Sequence, residues 1–493
     1  MDSRTPPLEE THPANLSTGS GPSPDSCHRA APPGGKVLAL GQAFIRTLRH
    51  FWPDFNPWLD QLPDTRFREM IVYDKRFLIW WGLLLFSFKL GSRRALDYQL
   101  RDIELPVLDN INQLAKTQQE SLPVHKTLDH FLGHVGSAAL ADLRNQCLRH
   151  LIRTKVLDRF RLEGQFVIAI DGTGYLSFKE RHCEHCLEHS NGSCVYYLHP
   201  VLEAKIVHPS GLALSIGTEF IENPLPQPGT DPSSLVDYQA VKQDCELKAF
   251  LRLAAQLKKA FPQTPFCLAA DSLLACGPVL TLCEQHNWSY VLTFKPGRTP
   301  ALWADFQGLL KLSPENRRVQ TLADQTRQSF RWANDLAYTD SEGRAHTLHA
   351  LLCEETDARQ TQTYSWMTNT RLSMQNVVIL ASDGGRVRFQ IENQGFNIQK
   401  NSGLNLEHAY STGIDTMKSF YYLLQIAHLF LQMLERGSLL RQLARQYDST
   451  PLRLFGSLKN IAQRLLECFR YFPLPPEVFD STEQFQIRLA DSS

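Results

Sequence analysis

Three carboxylates in this 493-residue chain stand where phosphoryl transfer would need them. Asp171 follows the apolar run QFVIAI at 165–170, and Asp271 follows a second such run, PFCLAA, at 265–270. A buried strand that delivers an acid at its carboxyl end fixes it on a rigid element. The third acid, Glu392, lies in RVRFQIENQGFNIQK at 386–400, where Arg388, Glu392, Phe396 and Lys400 recur every four residues. On a helix such positions drift only slowly around one face. Transfer at a phosphodiester is served by two divalent ions about 3.5 to 4 Å apart, one on the attacking and one on the leaving oxygen. Mg²⁺ keeps several waters and takes phosphate oxygens, so a few carboxylates suffice. The expected cofactor is therefore two Mg²⁺ or Mn²⁺ ions, with Asp171, Asp271 and Glu392 as both metal ligands and catalytic residues. Taken singly, either aspartate also fits a turn or helix cap, and Arg388 with Glu392 fits an ion pair worth about 0.2 to 0.5 kcal/mol. Their occurrence together, in this order, points to chemistry.

A second constellation is softer. His182, Cys183, His185, Cys186, His189, Cys194 and His199 fall within eighteen residues. Cys183 and Cys186 have the spacing of half a zinc site, and thiolates with imidazole suit tetrahedral Zn²⁺. The expected structural zinc ligands are Cys183, Cys186 and Cys194, completed by a histidine; a polar hairpin tip with reduced thiols accounts for the same residues. Lys242, Asp244 and Glu246 form a charged cluster that reads as the solvated face of a helix, with closeness to the metals as the other option. Trp332 and Trp366 could stack on an unpaired base, although burial in a β-rich segment is the simpler reading.

The elements that must position these groups follow from pattern. Residues 1–35 are rich in Pro, Ser, Gly and Thr and read as a disordered tail. Residues 36–162 read as a helical domain broken by Pro53, Pro57, Pro63, Pro106 and Pro123. Within it FLIWWGLLLFSF at 77–88 is twelve residues long, short of the roughly 20 that cross a bilayer, so a buried helix is expected and no membrane partner. From 163 the texture is α/β: strands at 165–170, 196–207 and 212–220, a Pro-rich loop, a helix from 235 to 262, then strand, helix and strand to 294. Residues 299–370 read as an inserted β-rich subdomain, and two apolar helices follow Ser411.

The blocks IDGTGY around Asp171, AADSLLACGP around Asp271 and RFQIENQGFNIQKNSGLNLEHAYS around Glu392 resemble the three acidic blocks of bacterial insertion-sequence transposases with a DDE active site. The similarity is to a non-classified group related to those bearing the Y-R-E-K signature. It runs from about 165 to 430, and the third block is its most specific part; HCEHC, YYLHPVLEAKIVHPSG and KQDCELKA are also similar to segments of that group. The resemblance implies an RNase H-like catalytic core at 163–430 with the β-rich insertion between the second aspartate and the glutamate. It implies double-stranded DNA as partner, at element ends and target, and a homodimer in the synaptic complex. Arg388 and Lys400 would then hold DNA phosphates. The chain departs from the signature twice. Gly385 stands where a tyrosine is expected, and Gln399 where the lysine is, with Lys400 one residue and about 100° further around the helix.

Composition bounds these readings. Lys plus Arg and Asp plus Glu are both 51, so no global field draws a polyanion and any nucleic-acid surface must be local. The segment 431–493 carries a local excess, seven cations against three acids between 435 and 470, although a solvated helix face explains it equally. An odd count of eleven cysteines without an apolar leader points to a reducing bacterial cytoplasm. The reading is a transposase that cuts element ends and joins them to target DNA. The alternatives are an RNase H-like nuclease without strand transfer, and a non-catalytic DNA-binding protein built on the Cys/His zinc site.

Overall fold

The computed structural model describes residues 34–101, 104–192, 194–223, 244–480 and 486–489. The expected tail, apart from its last two residues, the Pro-rich loop after Asn223, and Lys242 lie outside them. The protein is a mixed α/β structure with one large mixed sheet and helices at both ends.

The sheet begins with β1 (Arg161–Leu162) and β2 (Gln165–Phe178), joined across Glu163 and Gly164 at positive φ of 47° and 84°, as a two-residue hairpin of the primed kind requires. β3 (Leu187–Asn191), β4 (Cys194–His208) and β5 (Leu212–Phe220) follow. β4 runs antiparallel to β2 along one edge and pairs with β3 and then β5 along the other. A helix, Glu246–Ala260, leads to β6 (Phe266–Ala270), parallel to β2; a second, Gly277–His286, leads to β7 (Ser289–Thr293), parallel to β6. All five residues of β6 are buried, as expected of a parallel strand covered on both faces.

β2 does not stop at Asp171. It continues to Phe178 because β4 pairs with it from Ile168 to Phe178, whereas its pairing with β6 ends at Ala169. Nor is the expected β-rich insertion set apart. It opens with a helix, Pro300–Leu312, which starts on proline and buries Leu302, Phe306 and Leu310 on one face. The strands β8 (Arg317–Thr321), β9 (Arg327–Thr339), β10 (Ala345–Thr356) and β11 (Thr361–Thr368) are then antiparallel. β11 pairs with β7 through Trp366 and Thr293, Met367 and Leu292, Thr368 and Val291. An edge strand left open would template association; here the insertion covers it and extends the sheet to eleven strands.

Helices at both ends share a core. Ile414–Arg436 is buried around most of its circumference, so it must be surrounded by protein. Lys75–Ser87, which contains most of the apolar run, packs on it with Gly82 against Leu423. Phe430 meets Trp52 and Phe55 at ring-centroid distances of 4.6 and 5.3 Å. Among the described residues no helix is long and apolar enough to cross a membrane.

Candidate active site

Register brings the first two acids together. β2 and β6 pair from Phe166 opposite Phe266 to Ala169 opposite Ala269, so Asp171 and Asp271 lie two residues beyond the last pair on each strand. Neighbouring strands are about 4.8 Å apart and in-register side chains leave the same face. Asp271 also receives the Leu273 amide at 2.8 Å, so it caps the turn after β6 while facing the site.

The third acid arrives on residues 377–401, a continuous helical path with turns that are alternately wide and tight. Such wide turns concentrate at functional sites because they re-aim side chains. Arg388 bridges two acids: its Nη2 is 3.0 Å from Glu392 Oε1 and its Nη1 is 3.3 Å from Asp171 Oδ2. Burial pushes the Asp171 carboxyl up to about 6; Arg388 opposes this, and the Glu392 and Asp271 carboxylates reinforce it. No ion pair links Lys400 to these acids; its ammonium lies 2.7 Å from Glu407. Gln399 is buried instead and donates to Gln425 and His428.

Gly385 has a steric explanation. A Cβ there would overlap the indole of Trp366, which is buried like Trp332. Tyr364 stacks on Trp366 at 6.0 Å, and the Arg386 guanidinium lies 4.2 Å from the Tyr364 ring centre while pairing with Glu355. Gly385→Tyr, which writes the signature's tyrosine into the chain, is therefore expected to destabilise it by about 1 to 3 kcal/mol through overpacking. Chemical denaturation reads this directly, and a variant as stable as the parent would refute the packing argument.

A fourth carboxylate, Glu246, takes the second of the two options its sequence offered, closeness to the acids in place of a solvated face. Glu246 begins the helix before β6, and its Oε1 occupies the space a side chain at Gly172 would need. Half-buried beside Gly172, Glu246 has its pKa raised by burial and further by Asp271. Asp244 does not join it: burial would raise its pKa, but Arg252, 2.6 Å away, holds it below the usual carboxylate range. A cleft of about 340 Å³ opens beside Asp271 and Arg388, bordered by Lys295, Tyr364 and Phe389.

No protein-family model matches this sequence, and no curated protein does. The chemistry of the donor set thus stands on its own. Hard carboxylate oxygens suit a divalent cation such as Mg²⁺, and burial, reinforced by Glu392 and Asp271, raises the Asp171 carboxyl. Asp171, Asp271, Glu392 and Glu246 fit that role, although they do not close on one point as the following group does.

Among the described residues, one group of histidine, cysteine and acidic side chains brings its donor atoms within 4.8 Å of one another: His182, Cys183, Cys186 and His199. It could hold a metal ion. Cys183 and Cys186 stand as expected, but Cys194 is replaced by two histidines. Cys194 opens β4 opposite Asn191 at an exposed hairpin tip, five residues along the strand from His199, or about 16 Å. Burial lowers the His199 pKa to about 4, so its imidazole is neutral at pH 7, the form that ligates metal.

Proposed function

We propose that this protein is a DNA transposase of a bacterial mobile element, cutting the element's ends and joining them to target DNA by metal-dependent phosphoryl transfer. One observation carries the reading: Asp171 and Asp271 lie at one level of adjacent parallel strands, and Arg388 joins Glu392 to Asp171 from a separate helix. The order β5-β4-β2-β6-β7, an antiparallel meander continued by parallel strands, supports an RNase H-like core. The blocks around the three acids support the transposase family within it.

Asp171, Asp271 and Glu392 would hold two Mg²⁺ or Mn²⁺ ions, which when bound supply an activated oxygen nucleophile and neutralise charge on the leaving oxygen. The chain's own contribution is placement. β2 and β6 fix two acids on rigid backbone, and the bridge from Arg388 fixes the third. The same guanidinium, with five donors in a planar fork, suits a DNA phosphate beside the cleaved bond. Lys400 would meet phosphate further along the strand, released from Glu407. Two ends joined at one target call for two copies of the chain, acting in the bacterial cytoplasm.

The test uses purified full-length protein, linear duplex carrying the element's ends and a supercoiled target, with Mg²⁺, Mn²⁺ or a chelator. End cutting followed by joining, both lost on chelation, is the expected outcome. Cutting without joined product would replace the reading with a nuclease. Binding that survives chelation, with no cutting in any metal, would leave a DNA-binding protein.

A further inference from the structure

The segment between β2 and β3 carries few apolar side chains, yet it is drawn tightly onto β4. Phe178 ends β2 and stacks on the His182 ring at 4.4 Å and 9°. Cys183 and Cys186 follow, with Sγ atoms 3.6 Å apart, and His199 on β4 presents its Nε2 to both, at 3.6 and 3.1 Å. Cys186 and His199 are buried, and the Nδ1 of His182 is buried without a hydrogen-bond partner. An unmet polar atom among thiols and imidazoles is anomalous unless another ligand completes it.

Tetrahedral geometry accounts for the distances. With Zn–S near 2.3 Å and Zn–N near 2.0 to 2.1 Å, two sulfurs on one ion stand about 3.8 Å apart and a sulfur and a nitrogen about 3.6 Å. The observed 3.6 and 3.6 Å are close to these values, and 3.1 Å needs a shift of about half an ångström. Two soft thiolates with two imidazoles select Zn²⁺ over Mg²⁺ or Ca²⁺. Four protein ligands leave no open position for substrate, which marks a structural site and not a catalytic one.

We infer that His182, Cys183, Cys186 and His199 bind one Zn²⁺, and that this ion clasps the β2–β3 connection to β4. The clasp reaches further. The Cys186 carbonyl accepts from Asn223 Nδ2 at 3.0 Å, the His185 carbonyl accepts from the Asn223 amide at 3.1 Å, and the Asp244 amide donates to Asn223 Oδ1 at 3.4 Å. The end of β5 and the start of the Glu246 helix are thereby tied to the same knuckle. His199 pairs with Leu176 just past the irregularity at Gly174 in the β2–β4 register, so the ion also secures the distal half of the strand bearing Asp171.

The test is metal content of the full-length protein, purified under reducing conditions without chelator, together with absorption after replacement by Co²⁺. One zinc per chain is expected, with a Co²⁺ form showing the strong visible bands of tetrahedral coordination and thiolate-to-cobalt charge transfer. Cys183→Ser with Cys186→Ser should lose both signals, and Cys194→Ser should keep them. Limited proteolysis should cut the zinc-stripped protein between 179 and 192 at least tenfold faster. Absence of metal in protein reconstituted with Zn²⁺, a pale octahedral cobalt spectrum, metal retained in the double variant, or a Cys183–Cys186 disulfide in its place would each overturn the inference. Should the double variant fail to fold, the metal content and cobalt spectrum of the natural chain decide it.

Discussion

Asp171→Asn is expected to abolish DNA cleavage and, at pH 7, to make the protein more stable. Activity should fall because the carboxylate is the central proposed ligand. Losing a divalent ion removes several kcal/mol of transition-state charge stabilisation, and about 4 kcal/mol is already a thousandfold in rate. Stability should rise because burial, Glu392 and Asp271 push the Asp171 carboxyl from its ordinary value near 3.8 to about 6, despite Arg388. A carboxyl raised in the folded state contributes stability that is fully present below pH 3.8 and lost as pH climbs through about 6. At pH 7 the ionised group therefore opposes folding. Two pKa units at about 1.4 kcal/mol each, discounted for solvent screening at a side chain that is 24% exposed, leave a gain on the order of 1 to 2 kcal/mol. Arg388 keeps its 3.0 Å contact with Glu392 in the variant. The advantage should shrink towards pH 5, where the natural aspartate takes up its own proton. Urea unfolding at the two pH values, beside the cleavage assay, checks both halves. Retained cutting would remove Asp171 from the site, and a variant less stable at pH 7 would mean that burial and the neighbouring acids do not raise its carboxyl.

Much of this site was legible because its signals are local. An acid after a short apolar run, and two cysteines three residues apart, can be read without knowing what they face. Positions set by long-range pairing could not. The length of β2 beyond Asp171 depends on β4, and the second partner of β7 is β11, which follows it only after β8, β9 and β10. Glu246 is the instructive miss. Its helix buries Ala249, Phe250, Leu253, Ala254 and Leu257, and position 246 falls on that same stripe, three and four residues before its first members. Grouped with Lys242 and Asp244 it reads as solvated; placed on the helical period it falls on the inward side, where it is half-buried. Gln399 repeats the lesson: with Phe396 it lies on the buried side, which leaves Lys400 to Glu407. The metal-capable group was half visible, since spacing gives the thiols whereas only the fold tells which histidine on β4 returns to them. Helices buried on all sides, such as Ile414–Arg436, announce burial but not their neighbours, so the core shared by the two ends of the chain had no sequence signal.

Glu203→Gln is expected to cost about 3 to 5 kcal/mol, the penalty for leaving buried charge uncompensated. Glu203 pairs with Asp171 in the β2–β4 register and is fully buried, as are Lys205 and nearly so Arg144. Its carboxylate accepts from Ser215 at 3.0 and 3.1 Å and from Thr218, both of which receive Arg144, at 2.9 and 2.7 Å. The Lys205 ammonium is 3.6 Å away and donates to Gln425 at 3.0 Å. One anion thus balances two cations, and glutamine keeps its shape while removing its charge. Lys205 can limit the damage by releasing its proton. Burial already lowers its pKa, with Glu203 opposing, and loss of Glu203 lowers it further. A lysine depressed in the folded state carries a cost that is fully present below its folded pKa and vanishes as pH rises through its unfolded value near 10.4. The deficit of Glu203→Gln should therefore narrow between pH 7 and pH 9 in urea unfolding. Lys205→Met, which leaves Glu203 beside Arg144, should lose less. Cleavage should weaken with stability in Glu203→Gln, because the Lys205 stem lies against Gly395, where a Cβ would come 2.9 Å from its Cε, one turn from Glu392. A loss under about 1 kcal/mol, or a deficit that widens with pH, would show that the cluster is not held by this charge balance.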